Sequence, residues 1–297
     1  MRGAYNRDGM KKLYLDSRDL IDLVSHDAPV SPAELGRLLE AEHWALVYSF
    51  ANICEVVVVD DLLETRRRLQ VLDRLPHTHI VAPPILRCKE FREAVDAFET
   101  GGSAQPIDPF VAHWHQTYVY PGQPNRQNML VNYPLADQVL PLAICNPDVC
   151  RNLPQHASLF QHAVNEDRMV TDAVRRSRER FEGGVKVALV DCGLSVPSTR
   201  LTNFAKWIRD DPTRCPGWRI FTEAYLQFCG NVGDQVERGD IPDFSHIACL
   251  PYVDAITLDR RMAEYCRTAA LKFREQDPSL TYADRVFKNA EAWLQSI

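Results

Sequence analysis

Four acidic residues in this chain lie in contexts that could bring their carboxylates to one point. Asp16 and Asp259 follow the apolar runs KKLYL and YVDAIT, Glu55 lies just after ALVYSF, and Asp243 opens the helix-like stretch DFSHIA. Carboxylates held close together raise one another's pKa and oppose folding unless a cation neutralises them. Mg²⁺ and Mn²⁺ prefer oxygen ligands, so the pattern favours a divalent-metal site built from these four acids.

The chemistry expected of such a site is phosphodiester hydrolysis. One or two divalent ions can activate a water molecule for attack and stabilise charge on the phosphate, so that no protein nucleophile is needed. Each acid also has a structural interpretation, because Asp residues at these positions commonly cap the helix that follows. Glu55 fits that interpretation least, since it lies among apolar residues where an unpaired carboxylate is costly.

Other catalytic patterns are weak or missing in this sequence. There is no GxGxxG or GxxxxGK[ST] phosphate-binding loop and no GxSxG nucleophile elbow. His113 and His115 alternate as in a strand, but two histidines without a third ligand do not make a zinc site. His246 is expected to pack or to hydrogen-bond within its own helix.

The elements that must position the acids alternate between short apolar runs and helical patterns. Strands are expected at 11–15, 45–50, 79–84 and 252–257, and this alternation predicts an α/β fold with a mainly parallel central sheet. In such sheets ligands bind at the carboxyl ends of the strands, where the four acids would meet.

The helical patterns are more numerous than the strands. Helices are expected at 17–24, 31–44, 51–75, 85–102, 137–144, 158–183, 199–210, 217–229, 241–250, 259–273 and 282–295. Ser31 and Glu34 form a capping-box pattern at the start of the second of these.

The middle of the chain has a different character from its two ends. Residues 1–85 and 240–297 are expected to form a discontinuous core, and residues 86–239 a mostly helical insertion with an irregular stretch at 103–157. The aromatic residues Trp114, Tyr118 and Tyr120, together with Arg126, could stack on single-stranded bases there. Packing of these aromatics against the core is the alternative that we favour.

The acid motifs resemble those of the PIN domain family of metal-dependent nucleases. YLDS at 14–17 matches the motif around the family's first acid, and YSFANICE at 48–55 matches the layout of the second. DFSHIA at 243–248 has the Asp-x-x-His-x-Ala pattern of the third, and TLD at 257–259 matches the fourth. The resemblance covers roughly residues 11–85 and 240–275, and it implies a PIN-like three-layer α/β/α core.

The resemblance also implies a function, that of an endoribonuclease that uses Mg²⁺ or Mn²⁺. Ser17, Ser49 and Thr257 would support the acids through hydrogen bonds, and single-stranded or structured RNA would be the substrate. Nucleic-acid contacts are expected from the cationic residues Arg18, Arg66, Arg67 and Arg260. Family members often dimerise, and many are paired with an antitoxin or regulatory protein, so both kinds of partner are expected here.

Two other functions stay open. A non-catalytic PIN-like module that binds RNA or a partner protein is favoured by Arg18, which stands where the family commonly has Asn or Ser, and by the net charge of −6. A phosphatase of the haloacid dehalogenase type would need a second Asp two residues after Asp16, and Arg18 occupies that position.

Composition sets the general class of protein. Hydrophobic residues make up 45% and charged residues 25% of the 297 residues, the balance of an ordinary globular chain. No apolar run approaches the length needed to span a bilayer, and the first residues lack a signal-peptide pattern. A cytoplasmic location without membrane contact is therefore expected.

Overall fold

The sheet at the centre of the molecule has six strands. The computed structural model describes residues 9–25, 30–118, 133–147, 157–169, 173–237 and 240–297. Within these residues the strands are β1 (Lys11–Tyr14), β2 (Trp44–Tyr48), β3 (His77–Ile80), β4 (Phe110–Val111), β5 (Ala255–Thr257) and β6 (Val286–Phe287). Their order across the sheet is β4-β3-β2-β1-β5-β6.

The strands run mainly parallel, as the sequence pattern predicts. β1 pairs in parallel with both β2 and β5, and the pairs β2–β3 and β5–β6 are also parallel. β4 is antiparallel to β3 and was not predicted, because a two-residue strand leaves no periodic signal. The carboxyl ends of β1, β2 and β5 therefore lie at one edge of the sheet.

The described helices flank the sheet. They are α1 (Ser17–Val24), α2 (Pro32–Ala41), α3 (Phe50–Val56), α4 (Leu62–Asp73), α5 (Pro83–Thr100), α6 (Leu135–Cys145), α7 (Ala157–Arg168), α8 (Ala173–Asp191), α9 (Ser198–Arg209), α10 (Pro216–Gly230), α11 (Asp240–Ile247), α12 (Arg260–Gln276) and α13 (Ala290–Leu294). Short 3₁₀ helices occur at Trp114–Tyr118, Leu250–Tyr252 and Tyr282–Arg285.

Two hydrophobic clusters lie on the two faces of the sheet. Leu13 and Leu46 belong to one cluster with α1 to α4, whereas Tyr14 and Val47 belong to the other with α10, α11 and α12. Successive strand residues point to opposite faces, so this alternation separates the clusters by the thickness of the sheet. The arrangement is consistent with three layers, α/β/α.

The single helix expected at 51–75 is wrong, because the chain forms two helices there. α3 ends at Val56, and Asp61 caps α4 by accepting a hydrogen bond from the Glu64 amide. Between them the Thr65 hydroxyl binds both the amide and the carbonyl of Val58. The run of β-branched valines has a low helical preference, and these contacts stabilise the break.

Two other long helices are also divided. The helix expected at 158–183 appears as α7 and α8, and residues 170–172 between them lie outside the described residues. The helix expected at 282–295 becomes a 3₁₀ turn, then β6, then α13. Val286 pairs with Ile256 in the sheet, and Asn289 caps α13 through the Ala292 amide.

The strand expected at 252–257 is shorter than predicted, because Tyr252 is the last residue of a 3₁₀ turn and the strand begins at Ala255. Trp114 is fully buried and stacks on Phe50, which confirms that it packs against the core. Tyr120 and Arg126 lie outside the described residues.

The segment expected to be an insertion packs closely on the remainder of the chain. Ile220 and Phe228 of α10 lie in the same buried cluster as Phe244 of α11 and Met262 of α12. The proposed division into a core and an insertion remains a prediction. Among the described helices, none combines the length and the apolar character required to cross a bilayer.

Candidate metal centre

The four acids occupy the edge of the sheet where β1, β2 and β5 end. Asp16 follows β1 and caps α1, accepting a hydrogen bond from the Ser17 amide at 2.8 Å. Asp259 follows β5 and caps α12. Glu55 lies in α3, the helix after β2, and Asp243 lies in α11. The capping interpretation is thus true of Asp16 and Asp259, but it does not exclude a second role for either.

The carboxylates are close enough to perturb one another. The pKa of Asp243 is raised to about 8, mainly by burial and also by the negative charges of Asp16, Asp259 and Glu55, against the opposing effect of His246. Among the described residues, none donates a hydrogen bond to this carboxylate. Burial also raises the pKa of Asp16, with a contribution from Glu55. Such mutual destabilisation is the behaviour expected of an acid cluster that binds a cation.

His246 is part of this cluster, which corrects the expectation that it packs or hydrogen-bonds within its own helix. Its side chain is 1% exposed, and Nδ1 lies 2.5 Å from the hydroxyl of Tyr14 on β1. Nε2 faces the acids, 3.8 Å from Asp16 Oδ1 and 3.7 Å from Glu55 Oε2. These are ion-pair distances that are too long for hydrogen bonds, and Nε2 has no hydrogen-bond partner.

A signal for His246 was present in the sequence. Asp243 and His246 are three residues apart in α11, and residues at this spacing share one face of a helix. Oxygen atoms of Asp16 and Asp243 and a ring nitrogen of His246 all lie within 4.8 Å of one another. Among the described residues, this is the one group of three such side chains arranged to hold a metal ion.

The imidazole and its acidic neighbours shift each other's protonation. Burial lowers the pKa of His246, but Glu55, Asp16 and Asp243 together raise it above its ordinary value. Burial likewise pushes the pKa of Glu55 upward, yet the interactions with His246 and with Ser17 outweigh burial, so the pKa of Glu55 is lowered. Glu55 is therefore ionised at neutral pH.

Ser17 hydrogen-bonds to one of the acids, whereas Ser49 hydrogen-bonds to Tyr14 and to none of the four acids. Ser17 Oγ donates a hydrogen bond to Glu55 Oε2 and so links α1 to α3. Ser49 caps α3 by accepting a hydrogen bond from the Asn52 amide, and its Oγ lies 2.8 Å from the Tyr14 hydroxyl. The buried chain from Ser49 through Tyr14 to His246 thereby connects three elements beneath the acids.

Thr257 forms a hydrogen bond with the backbone of Asp16. Its Oγ1 accepts a hydrogen bond from the Asp16 amide at 2.9 Å, so it positions the backbone of Asp16 and not the carboxylate of Asp259. Thr257 also bonds to Asp19, whose pKa burial raises and this hydrogen bond lowers. Asp259 Oδ1 accepts hydrogen bonds from the amides of Arg261 and Met262.

A cleft of about 470 Å³ opens beside Asp16 and Asp259. Three exposed cations border it, namely Arg18, Arg260 and Lys288, and among the described residues none of them forms an ion pair with a carboxylate. Arg18 and Arg260 were expected from the sequence, whereas Lys288 was not. Lys288 reaches the cleft because β6 lies beside β5, a long-range pairing with no local sequence signal.

Arg66 and Arg67 are outside this cleft lining, and both have acidic neighbours. Arg66 is 3.8 Å from Asp137, and Arg67 is bound to Glu64 and to the carbonyl of Val24. Nucleic-acid contact by these two residues remains a prediction.

A group of four histidines lies on β3 and on the residues that follow β4. His79 is 3% exposed and neither ring nitrogen has a hydrogen-bond partner, while His77, His113 and His115 are close by. Burial lowers the pKa of His79 to about 3, helped by these three histidines. No three of these four histidines place ring nitrogens within 4.8 Å of one another.

Comparison with known proteins adds no relative. A scan against protein-family models, a search of curated proteins and a search of solved structures each returned no match.

Proposed function

We propose that this chain is a metal-dependent nuclease that hydrolyses phosphodiester bonds in RNA, and that it is a divergent relative of the PIN domain family. The observation that carries the proposal is the meeting of Asp16, Glu55 and Asp243, distant in sequence, beside Nε2 of His246, which forms no hydrogen bond. Asp259 is close enough to this group to raise the pKa of Asp243.

The residues at this point fit a divalent cation. The pKa values of Asp16 and Asp243 are raised mainly by burial, with smaller contributions from neighbouring acids, and a bound cation would oppose both effects. Asp16, Asp243 and His246 would hold the ion, with Glu55 and Asp259 at its periphery. A bound Mg²⁺ or Mn²⁺ supplies Lewis-acid activation of water and neutralises charge on the phosphate.

The side chains around the acids suit a polyanionic substrate. Arg18, Arg260 and Lys288 border the cleft beside Asp16 and Asp259, where they can bind phosphates on either side of the scissile bond. Glu55, ionised and held by Ser17, orients groups at the reacting phosphate.

The test is cleavage of a fluorescently labelled single-stranded RNA in the presence of Mn²⁺ or Mg²⁺. Asp16→Asn is expected to lower the rate on the order of a hundredfold or more, the typical cost of losing one electrostatic group from an active site. Asp96→Asn is the matched control, because Asp96 is an exposed acid on α5, and its rate should equal that of the wild type.

The outcomes separate the alternatives. Wild-type activity in Asp16→Asn would refute the assignment of the site. Metal-dependent cleavage of single-stranded DNA but not RNA would keep the chemistry and change the substrate. Saturable RNA binding without cleavage in any metal would favour the non-catalytic binding module.

A further inference from the structure

The imidazole of His246 is held in one orientation by buried partners. Nδ1 lies 2.5 Å from the Tyr14 hydroxyl, which in turn lies 2.8 Å from Ser49 Oγ, and all three side chains are at most 1% exposed. Burial raises the pKa of Tyr14 well above its ordinary value, so its hydroxyl keeps its proton. In this hydrogen-bond series His246 Nδ1–H can donate to the Tyr14 hydroxyl, and that hydroxyl can donate to Ser49 Oγ. The Nε2 lone pair then faces the acids.

The other ring nitrogen of His246, Nε2, lies at ion-pair distance from Asp16 and Glu55 but forms no hydrogen bond. Nε2 is buried without a hydrogen bond, a state that carries a substantial free-energy cost in a protein interior. Metal-binding histidines characteristically use one ring nitrogen for the ion and hydrogen-bond the other to a fixed group. The Tyr14 contact gives His246 this arrangement.

The separations around Nε2 match a single coordination sphere. Two ligands of one ion, each at about 2.1 Å, can lie no more than about 4.2 Å apart. Nε2 is 3.8 Å from Asp16 Oδ1 and 3.7 Å from Glu55 Oε2, within that limit. An oxygen of Asp243, the third ligand, lies within 4.8 Å of a ring nitrogen of His246 and of an oxygen of Asp16, so an ion bound here would need only small side-chain movements.

We infer that His246 Nε2 is a direct metal ligand, so that the site is a mixed carboxylate and imidazole centre selecting a transition-metal ion such as Mn²⁺ over Mg²⁺. Mg²⁺ prefers oxygen ligands and retains its waters, whereas imidazole nitrogen binds first-row transition metals more readily. This inference rests on the metal site of the proposed function but not on the identity of the substrate. The competing arrangement is a protonated His246 that acts as an internal counter-cation for Asp16 and Glu55.

The test uses electron spin echo spectroscopy of Mn²⁺ bound to the full chain. Wild-type protein is expected to show coupling of the ion to a ¹⁴N nucleus, which changes to the ¹⁵N pattern when only histidine is isotopically labelled. His246→Gln should lose the coupling and bind Mn²⁺ about tenfold more weakly, with a smaller effect on Mg²⁺. His162→Gln, which alters an exposed histidine on α7, should retain both properties.

Each outcome decides the inference. Mn²⁺ that binds wild-type protein without nitrogen coupling would overturn it and favour the counter-cation, leaving the nuclease proposal intact. Nitrogen coupling in a protein that cleaves no RNA would uphold the ligand and refute the proposed reaction. A complete lack of Mn²⁺ binding would refute both. The chain has nine histidines, so labelling identifies the ligand as a histidine, and loss of the coupling in His246→Gln, or in His246→Asn should the first variant fail to fold, assigns it to His246.

Discussion

Replacing Asp243 with Asn should stabilise the metal-free protein. The folded state raises the pKa of this carboxyl from 3.8 to about 8, because the group is buried and surrounded by other acids. The folded state therefore binds a proton that the unfolded chain releases, and stability falls as pH rises from about 4 to about 8. At pH 7 about three units of this shift have been lost as stability, from the unfolded-state pKa of 3.8 up to the working pH. At about 1.4 kcal/mol per unit, they correspond to about 4 kcal/mol of unfolding free energy.

The amide of Asn has nearly the shape of the carboxyl group and cannot ionise. The free energy of unfolding of Asp243→Asn in EDTA at pH 7 should therefore exceed that of the wild type by about 1 to 4 kcal/mol, the upper figure corresponding to the full shift. The difference between the two proteins should shrink toward pH 4 and vanish at pH values well below 3.8, where the wild-type carboxyl is protonated in both states.

Urea unfolding followed by circular dichroism measures this difference, with Asp96→Asn as the control for loss of an exposed charge. Adding Mn²⁺ should narrow or reverse the difference in stability, because a ligand at a hundred times its dissociation constant stabilises its binding state by about 2.7 kcal/mol. Only the wild type should gain that stabilisation. A variant that is less stable than the wild type in EDTA, or equal to it, would refute the idea of mutually repelling carboxylates.

Three further perturbations test other parts of the structure. Tyr14→Phe removes the hydroxyl that holds His246, so unfolding should become easier by about 1 to 3 kcal/mol and calorimetry should show Mn²⁺ binding weakened about tenfold or more. His79 has a pKa lowered from 6.5 to about 3 in the folded state, so stability is lost as pH falls from 6.5 toward 3. Between pH 7 and pH 5 the free energy of unfolding should fall by about 2 kcal/mol less in His79→Phe than in the wild type. Equal falls in urea titrations of the two proteins would contradict the burial of a neutral ring. Lys288→Gln, in a catalytically inactive background, should weaken RNA binding and reduce the slope of log affinity against log salt by about 0.7, as measured by fluorescence anisotropy. An unchanged slope would show that Lys288 does not contact the RNA phosphates.

The acid cluster illustrates a conflict between stability and function. Asp16 and Asp243 both have raised pKa values, and each of them therefore destabilises the metal-free fold at neutral pH. A chain selected for stability alone would replace one with an uncharged residue. Their joint presence, with Asp16 bordering an open cleft, is more readily understood as the requirement of a ligand.

The strand-to-helix junctions were predictable because their signals are local. Asp16 and Asp259 each follow an apolar strand and cap the next helix, and the structure places both as the sequence indicated. The helix boundaries were less predictable where tertiary contacts intervened. The Val56 to Asp61 break depends on Thr65 binding Val58, an interaction that periodicity does not contain.

The sequence by itself determined which acids could act, their order, and the α/β alternation that brings strand ends to a common edge. Only the tertiary structure decided that His246 turns its free nitrogen toward Asp16, and that Lys288 borders the same cleft. The reason is physical. Capping and amphipathic patterns act over a few residues, whereas the orientation of a buried ring is set by partners such as Tyr14, more than two hundred residues away along the chain.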